Sequence, residues 1–357
     1  MKLKIFTHLG SALENIPCEP IVSPFCSQFN CETANFLDSI YAPYIKHNNS
    51  FFQKAPLEKS DLTILPVNWE KALTLGVTNS LVDLIEKTKN VDNLSVGFFG
   101  GDCSHLRLET ESNLMFRHSL YASTKSKRDF AYPAWSKNIP LKYLDGKLPI
   151  KSKKSLKPIV GFCGFSADKD TKTYIKYFLY QGEKKLDKRK VPRYHIGHVF
   201  RTLALEKLAK SSLIESNFII RNKSFFQNQT SNSNLQTKHK NEFVQNLIES
   251  DYIFCCRGSG NYSFRFYEAL SYGRIPVFLN TDCVLPYDFE IDWKKYCVWI
   301  EENELNKIDE KIAEFHDNIS EKEFMELQYE CRRIWQERIS PKGFYSNLYR
   351  HISLVKS

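Results

Sequence analysis

The chain alternates, twice over, short apolar runs with longer stretches whose apolar residues recur every three or four positions, and this rhythm restricts it to few architectures. In the first half, Leu3–Leu9, Asp61–Val67 and Leu94–Asp102 read as strands, with Cys31–Ile45 and Glu70–Thr88 as helices. In the second half, Pro158–Phe165, Ser216–Asn222, Asp251–Gly258 and Arg274–Asn280 read as strands, with helices at His198–Ser211, Asn241–Ser250 and Ser263–Gly273, and a long closing helix at Glu321–Ile339. A helix between two strands returns the chain to the same edge of a sheet, so the pattern predicts parallel sheets of the α/β class. A basic, Pro-punctuated stretch, Trp135–Pro158, separates the halves. The expected organisation is an α/β pair of Rossmann-like parallel-sheet domains at 1–150 and 151–320, with a helical segment, 321–357, packing back on them.

Composition narrows the class further. Of 357 residues 42% are hydrophobic and 25% charged, which excludes a disordered or collagen-like chain. The ten cysteines include no Cys-x-x-Cys pair and no Cys/His spacing suited to structural zinc. Several lie in apolar runs and read as small buried hydrophobes, so no metal is expected. The N-terminus has only a brief apolar patch, and no stretch approaches the ~18 apolar residues of a membrane helix. A reduced, cytoplasmic setting is the expectation, and the six Asn-x-Ser/Thr sequons then reflect composition.

The net charge of +9 is localised. Lys137–Arg193 holds 16 Lys/Arg against 5 Asp/Glu, a local +11, so the rest of the chain sums to −2. Such a segment is either a solvated surface or a rim facing an anion: a nucleotide diphosphate, an acidic glycan or an anionic membrane touched peripherally. No RNA- or DNA-binding signature accompanies it, so nucleic acid is not an expected partner.

The segment richest in chemistry is Tyr252–Asn280, "YIFCCRGSGNYSFRFYEALSYGRIPVFLN". It reads as strand, Gly-broken loop, helix and strand. Gly258 and Gly260 allow the backbone close to a ligand. Ser263 stands at the N-cap position, where backbone N–H groups point at the loop. Arg257 and Arg265 are cationic donors of bidentate geometry. Glu268, one helical turn beyond Arg265, is a carboxylate able to accept two ribose hydroxyls. On spacing alone, an ordinary strand–loop–helix corner with a surface Arg–Glu pair fits equally well.

The stretch "RGSGNYSFRFYEALSYGRIPVFLN" resembles the exostosin signature of glycosyltransferase family 47: an Arg-Gly loop, Ser-x-Arg-x-x-Glu-Ala, then Gly-x-x-Pro-Val. "VLPYDFEIDWKKYCVWI" (Val284–Ile300) continues the likeness, which is tight over Tyr252–Ile300 and loose over about Ser60–Arg350. Arg274 stands where the family often has a small or apolar residue. The resemblance implies a GT-B fold, two Rossmann-like domains facing a central cleft. It also implies inverting transfer of a sugar from a nucleotide-sugar, commonly a UDP-sugar, to a glycan or glycolipid acceptor, without a metal-binding Asp-x-Asp. Carried over, Arg257, Gly258, Ser263 and Arg265 face the diphosphate, Arg201 on the preceding helix is a second diphosphate candidate, and Glu268 faces the ribose. Gly161 and Gly164 leave room for donor or acceptor. Eukaryotic members usually carry an N-terminal anchor; its lack here implies a cytoplasmic enzyme of surface polysaccharide synthesis.

An inverting transfer needs a base for the acceptor hydroxyl. Asp102, after Gly100–Gly101 at a strand end, is the first candidate and His105 the second, with Glu70 and His8 at other strand ends. Two other classes compete. Asp168-Lys169-Asp170 is an Asp-x-Asp that a metal-dependent GT-A transferase would use. A non-catalytic nucleotide- or glycan-binding protein would keep the Arg/Glu pocket and lack the base. A Rossmann oxidoreductase is disfavoured, because no Gly-x-Gly-x-x-Gly follows a strand.

Overall fold

A computed structural model describes residues 2–26, 40–104, 113–135, 144, 147–153, 155–167, 171–186, 196–221 and 233–356. Two compact units emerge: 1–138 with 284–287 and 336–357, and 139–283 with 288–335.

The first unit holds β1 (Leu3–Phe6), β2 (Phe52–Lys54), β3 (Leu62–Ile64), β4 (Ser95–Phe99), β5 (Asn113–Arg117) and β6 (Asp129–Ala131). They form one sheet in the order β2-β1-β3-β4-β5-β6, parallel throughout. Its helices among the described residues are α1 (Gly10–Leu13), α2 (Ala42–His47), α3 (Trp69–Leu75) and α4 (Thr78–Lys89). The second unit holds β7 (Ile159–Phe165), β8 (Glu215–Arg221), β9 (Tyr252–Cys255), β10 (Ile275–Asn280) and β11 (Val298–Glu301), in the order β11-β10-β9-β7-β8, again all parallel. Its helices are α5 (Thr171–Leu186), α6 (Gly197–Ala209), α7 (Ser233–Glu249), α8 (Phe264–Ser271), α9 (Ile308–Asn318) and α10 (Glu321–Ile334). The chain then returns to the first unit with α11 (Pro341–Ser346) and α12 (Leu348–Lys356). Two all-parallel Rossmann-like sheets are the pair a GT-B fold requires.

Both sheets share one order of their first five strands, with a switch point between β1 and β3 in one and between β7 and β9 in the other. At such a point the crossover helices leave toward opposite faces and open a crevice beyond the strands' carboxyl ends. Burial follows the layers. In the second unit Val160, Phe254, Val277 and Ile300 from the sheet pack with Val199, Ala204 and Leu208 of α6 and Ile308 and Ile312 of α9. In the first, Leu65, Val67, Phe99 and Met115 pack with Ala72 of α3 and Leu81, Leu84 and Ile85 of α4.

Several elements differ from the sequence expectation. The single helix expected over Glu70–Thr88 is two, because Gly76 takes a left-handed conformation (φ 69°) and closes α3 with its N–H on the Ala72 and Leu73 carbonyls. Strands β2, β5 and β6 and helices α5 and α9 were not expected. The closing helix runs as α10 to Ile334 and continues through a π-turn, Trp335–Ile339. Among the described residues no helix is long and apolar enough to cross a membrane.

Arg274 has a structural reason. It is fully buried, and its guanidinium reaches the carbonyls of Leu247 (2.7 Å), Ile248 (3.4 Å) and Pro149 and the side-chain oxygen of Gln328 (2.6 Å). It therefore ties the connecting stretch to α7 and α10. Two lysines of the basic segment act alike: Lys151 pairs with the buried Asp251 at 2.8 Å and Lys184 with the buried Glu302 at 3.0 Å. Buried carboxylates need such partners.

Candidate functional site

In the second unit, four arginines gather where β7, β8 and β9 end. Arg201, in the second turn of α6, donates to the Phe165 carbonyl at 2.9 Å and to the carbonyls of Arg257 (2.8 Å) and Cys256 (3.4 Å). Burial holds its pKa below the usual arginine value, and the neighbouring Arg265 charge adds to this. Arg257, itself buried, donates to the Ser259 carbonyl at 3.0 Å. Arg265 reaches the Cys163 carbonyl and lies over the Phe243 ring at 4.6 Å. Arg221, closing β8, pairs with Glu242 at 2.8 Å and approaches Cys163 Sγ at 3.6 Å.

Glycines make this crowding possible. A Cβ on Gly164 would lie 2.9 Å from Arg265 Nη2, and one on Gly197 only 1.9 Å from the Gly258 carbonyl oxygen. The Gly161 position faces Ser250 Oγ, 2.2 Å from where its Cβ would be. The space at Gly161 and Gly164 thus goes to the protein's own side chains. A Cβ on Gly258, by contrast, would meet little, its nearest neighbour being Arg201 Nη2 at 3.8 Å.

Two helices present their N-termini at this edge. Ser263 occupies the N-cap of α8, but its hydroxyl makes no capping hydrogen bond. Ile196 caps α6 without a side-chain bond either. Free N–H groups and the helix dipole therefore leave positive potential there. Glu268 turns to Arg265, with Oε2 at 3.2 Å from Nη1. The pair coexists with further donor capacity: Arg201 Nε and Arg265 Nε are buried without a hydrogen-bond acceptor. Buried guanidinium N–H groups without acceptors are donors of the kind that suit an anion.

A family model, the Exostosin GT47 domain, matches residues 186–314. This stretch of the chain is similar to an exostosin GT47 domain. Exostosin-1 of Drosophila melanogaster is 32% identical over 90 residues, 25% of this chain and 11% of that protein. A probable glucuronosyltransferase 47 A of Physcomitrium patens is 28% identical over 90 residues, 25% of this chain and 20% of that one. A probable glucuronosyltransferase of Oryza sativa subsp. japonica is 31% identical over 75 residues, 21% of this chain and 18% of the relative. The matched stretch thus spans only about a tenth to a fifth of these relatives' length. Arg201, Arg257, Gly258, Ser263, Arg265 and Glu268 all fall inside the matched stretch; Glu70, Asp102 and His105 fall outside it.

The first unit carries the opposite chemistry at the carboxyl edge of its sheet. Glu70, in the first turn of α3, lies against Gly101; a Cβ there would stand 2.0 Å from Glu70 Oε1. Burial, and then the charge of the exposed Asp102, push the Glu70 carboxyl above the usual range. The N-cap Asn68 accepts from the Glu70 N–H at 3.1 Å and donates to Glu19 Oε1 at 2.9 Å. Glu19 is almost wholly buried, and burial raises its carboxyl to about 7 despite that hydrogen bond. His118 meets the Gly100 carbonyl at 2.7 Å and stacks on Tyr132 at 4.9 Å; burial lowers it to about 4.

Asp102 and Glu70 are thus brought together, whereas His8 stands exposed beyond β1. His105, Asp168 and Asp170 lie outside the described residues. Among the described residues no three His, Cys, Asp or Glu side chains gather as a metal-ligand set. Phe98, Phe99, Trp69 and Tyr132 are core, whereas Trp135 is partly open. Glu19 and Arg221 escaped the sequence reading. Glu19 sits in a Pro-rich loop with no periodic signal, and Arg221 reads as the polar end of a strand.

Proposed function

We propose that the chain is a glycosyltransferase that moves a sugar, with inversion, from a nucleotide-sugar to a glycan hydroxyl. The supporting observation is the buried, acceptor-poor guanidinium cluster of the matched stretch, Arg201 and Arg265 with Arg257 beside them. In this reading the diphosphate lies against those three arginines, the Gly258 loop and the open N-terminus of α8 at Ser263. Glu268, steadied by Arg265, takes the ribose hydroxyls. Transfer expels a nucleoside diphosphate whose charge grows as the glycosidic C–O bond breaks. Preorganised cations stabilise that charge directly, and such groups are worth several kcal/mol in rate. They fill the role a divalent ion has in metal-dependent transferases, so turnover in EDTA is the expectation. The donor is a UDP-sugar and the product belongs to a surface polysaccharide.

The acceptor's proton goes to the carboxylate pair of the first unit. Glu70, whose proton affinity burial and then the Asp102 charge raise, is the member of the pair that takes the proton. The words "glucuronosyltransferase" in the plant relatives' names put a glucuronic acid donor first in any screen. Thermal-shift screening of UDP-sugars, followed by transfer assays on glycan acceptors, tests the reading. A stabilising donor that is also turned over supports it. Stabilisation by a nucleotide-sugar without transfer or hydrolysis favours the non-catalytic binding protein.

A further inference from the structure

Helix α5 of the second unit turns tyrosines inward and bare hydrocarbon outward. Its inner face is well anchored. Tyr180 and Tyr177 pack edge-on against Phe200 of α6, with ring centroids 5.5 and 6.0 Å apart. Tyr174 donates its hydroxyl to Glu206 at 3.1 Å, and Tyr180 and Gln181 donate to the buried Glu302 at 3.0 and 3.2 Å. These contacts fix the rotation of the helix, and with it the residues that face out.

Outward stand Ile175 (52% exposed), Phe178 (69%), Leu179 (60%) and Leu186 (91%). At 100° and 1.5 Å per residue they share about 100° of the helix circumference and form a strip about 16 Å long. Gly182 lies in the same strip, and a Cβ there would meet nothing within 4 Å. Single apolar residues scattered on a surface are ordinary, whereas four along one stripe mark a face that something covers. Charge frames the strip. Lys172, Lys176 and Lys185 are exposed on its flanks beside one exposed carboxylate, Glu183, while Lys184 is taken by Glu302. The helix also lies within Lys137–Arg193, where the chain concentrates its local +11.

We propose that α5 is a membrane-docking site that lies flat on an anionic bilayer, with Ile175, Phe178, Leu179 and Leu186 among the upper acyl chains and the flanking lysines among the lipid phosphates. The inference does not use the donor site and does not depend on the transferase reading. With 16 residues the helix is too short to span a hydrocarbon core of ~30 Å. An apolar stripe bordered by lysines instead suits the interface, where such helices sink by about 5–10 Å. The stripe supplies the attachment, and the lysines supply the preference for anionic lipid. Charge also decides between lipid and a second copy of this chain. Two α5 helices face to face would gather six lysines against two glutamates, whereas a phosphate surface complements each lysine.

The test is co-sedimentation of the full-length chain with vesicles of phosphatidylcholine, alone or with about one-third phosphatidylglycerol. The wild type is expected to bind the anionic vesicles at least tenfold more tightly than the neutral ones, and salt to shrink the difference. Phe178→Ser combined with Leu179→Ser is expected to weaken that binding at least tenfold with Tm unchanged, because both side chains are exposed. Replacing Lys172, Lys176 and Lys185 together by Gln is expected to remove most of the preference for anionic lipid. Phe178→Trp puts an indole in the middle of the strip, and brominated lipid is expected to quench its added emission. The proposal is overturned if the wild type ignores anionic vesicles, if the double serine variant binds them as tightly as the wild type, or if the added indole stays unquenched. It is equally overturned if the wild type is a dimer that the serine variant dissociates and neither binds vesicles, since a second copy then covers the strip.

Discussion

The two sheets share a strand order and a switch point, yet their carboxyl edges have opposite character. Beyond β7, β8 and β9 stand Arg201, Arg221, Arg257 and Arg265, with two helix N-termini that no side chain caps. Beyond β3 and β4 stand Glu70 and Asp102, with Glu19 buried behind Asn68. The same device builds each edge: a glycine gives up its Cβ so that one charged side chain lies against the backbone, Gly164 for Arg265 and Gly101 for Glu70. Topology therefore fixes where a site forms, and a few loop residues decide its charge. The proposed function gives the cationic edge the diphosphate and the carboxylate edge the proton.

If the division is right, damage on one edge alters one kinetic quantity. The largest effect belongs to Glu70→Gln, which keeps shape and removes basicity. Turnover falls by about 10²–10⁴-fold while nucleotide affinity stays unchanged, measured as kcat beside a nucleotide titration. The paired glycines come next. Gly101→Ala pushes the Glu70 carboxylate off the backbone and costs about 10²-fold in kcat. Gly164→Ala displaces only the tip of a flexible arginine and weakens nucleotide binding about tenfold, about 1.4 kcal/mol. Equal effects of both on nucleotide affinity would break the comparison.

Glu19 supplies a smaller, pH-dependent effect. Its carboxyl titrates at about 7 in the folded chain against an ordinary 4.5, so the folded state favours its protonated form. The stability it contributes is complete below 4.5 and is lost as pH rises through 7, about 3 kcal/mol in all. His118, at about 4, and His351, at about 3, act in the opposite sense, losing stability as pH falls below 6.5. Both are present in wild type and Glu19→Gln alike, so the difference between the two isolates Glu19. Denaturant unfolding should show the wild type gaining on the variant from pH 7.5 to pH 4.5; a constant difference contradicts the assignment. The smallest effect compares two serines of the second unit. Ser320→Ala removes a complete capping box from α10 and costs about 1 kcal/mol. Ser263→Ala removes no capping bond and leaves Tm unchanged, as expected of a helix start reserved for a ligand.

Much of the second unit was legible because its strands are continuous apolar runs between glycines and polar turns. β7, β9 and β10 end within a few residues of where "PIVGFCGF", "DYIFCCRG" and "RIPVFLN" place them. The first sheet hides more. β5 is five buried residues, but it begins with Asn113, which accepts from Ser95 Oγ at 3.0 Å, and ends with Arg117, which donates to the Cys103 carbonyl at 2.9 Å. Polar ends of that kind read as loop in a sequence. The Arg265–Glu268 pair was legible from one-turn spacing, whereas the buried contacts of Arg274 and Glu19 depend on residues scores of positions away. The two glycine–charge pairings are tertiary contacts for the same reason, and no local pattern encodes them.

The central claim is that the arginine edge of the second unit receives a nucleotide diphosphate. Isothermal titration of UDP into the wild type, Arg265→Ala and Glu268→Ala tests it most directly. The account predicts one site in the wild type, with affinity at least tenfold weaker in each variant. Unchanged UDP affinity in both variants would contradict it.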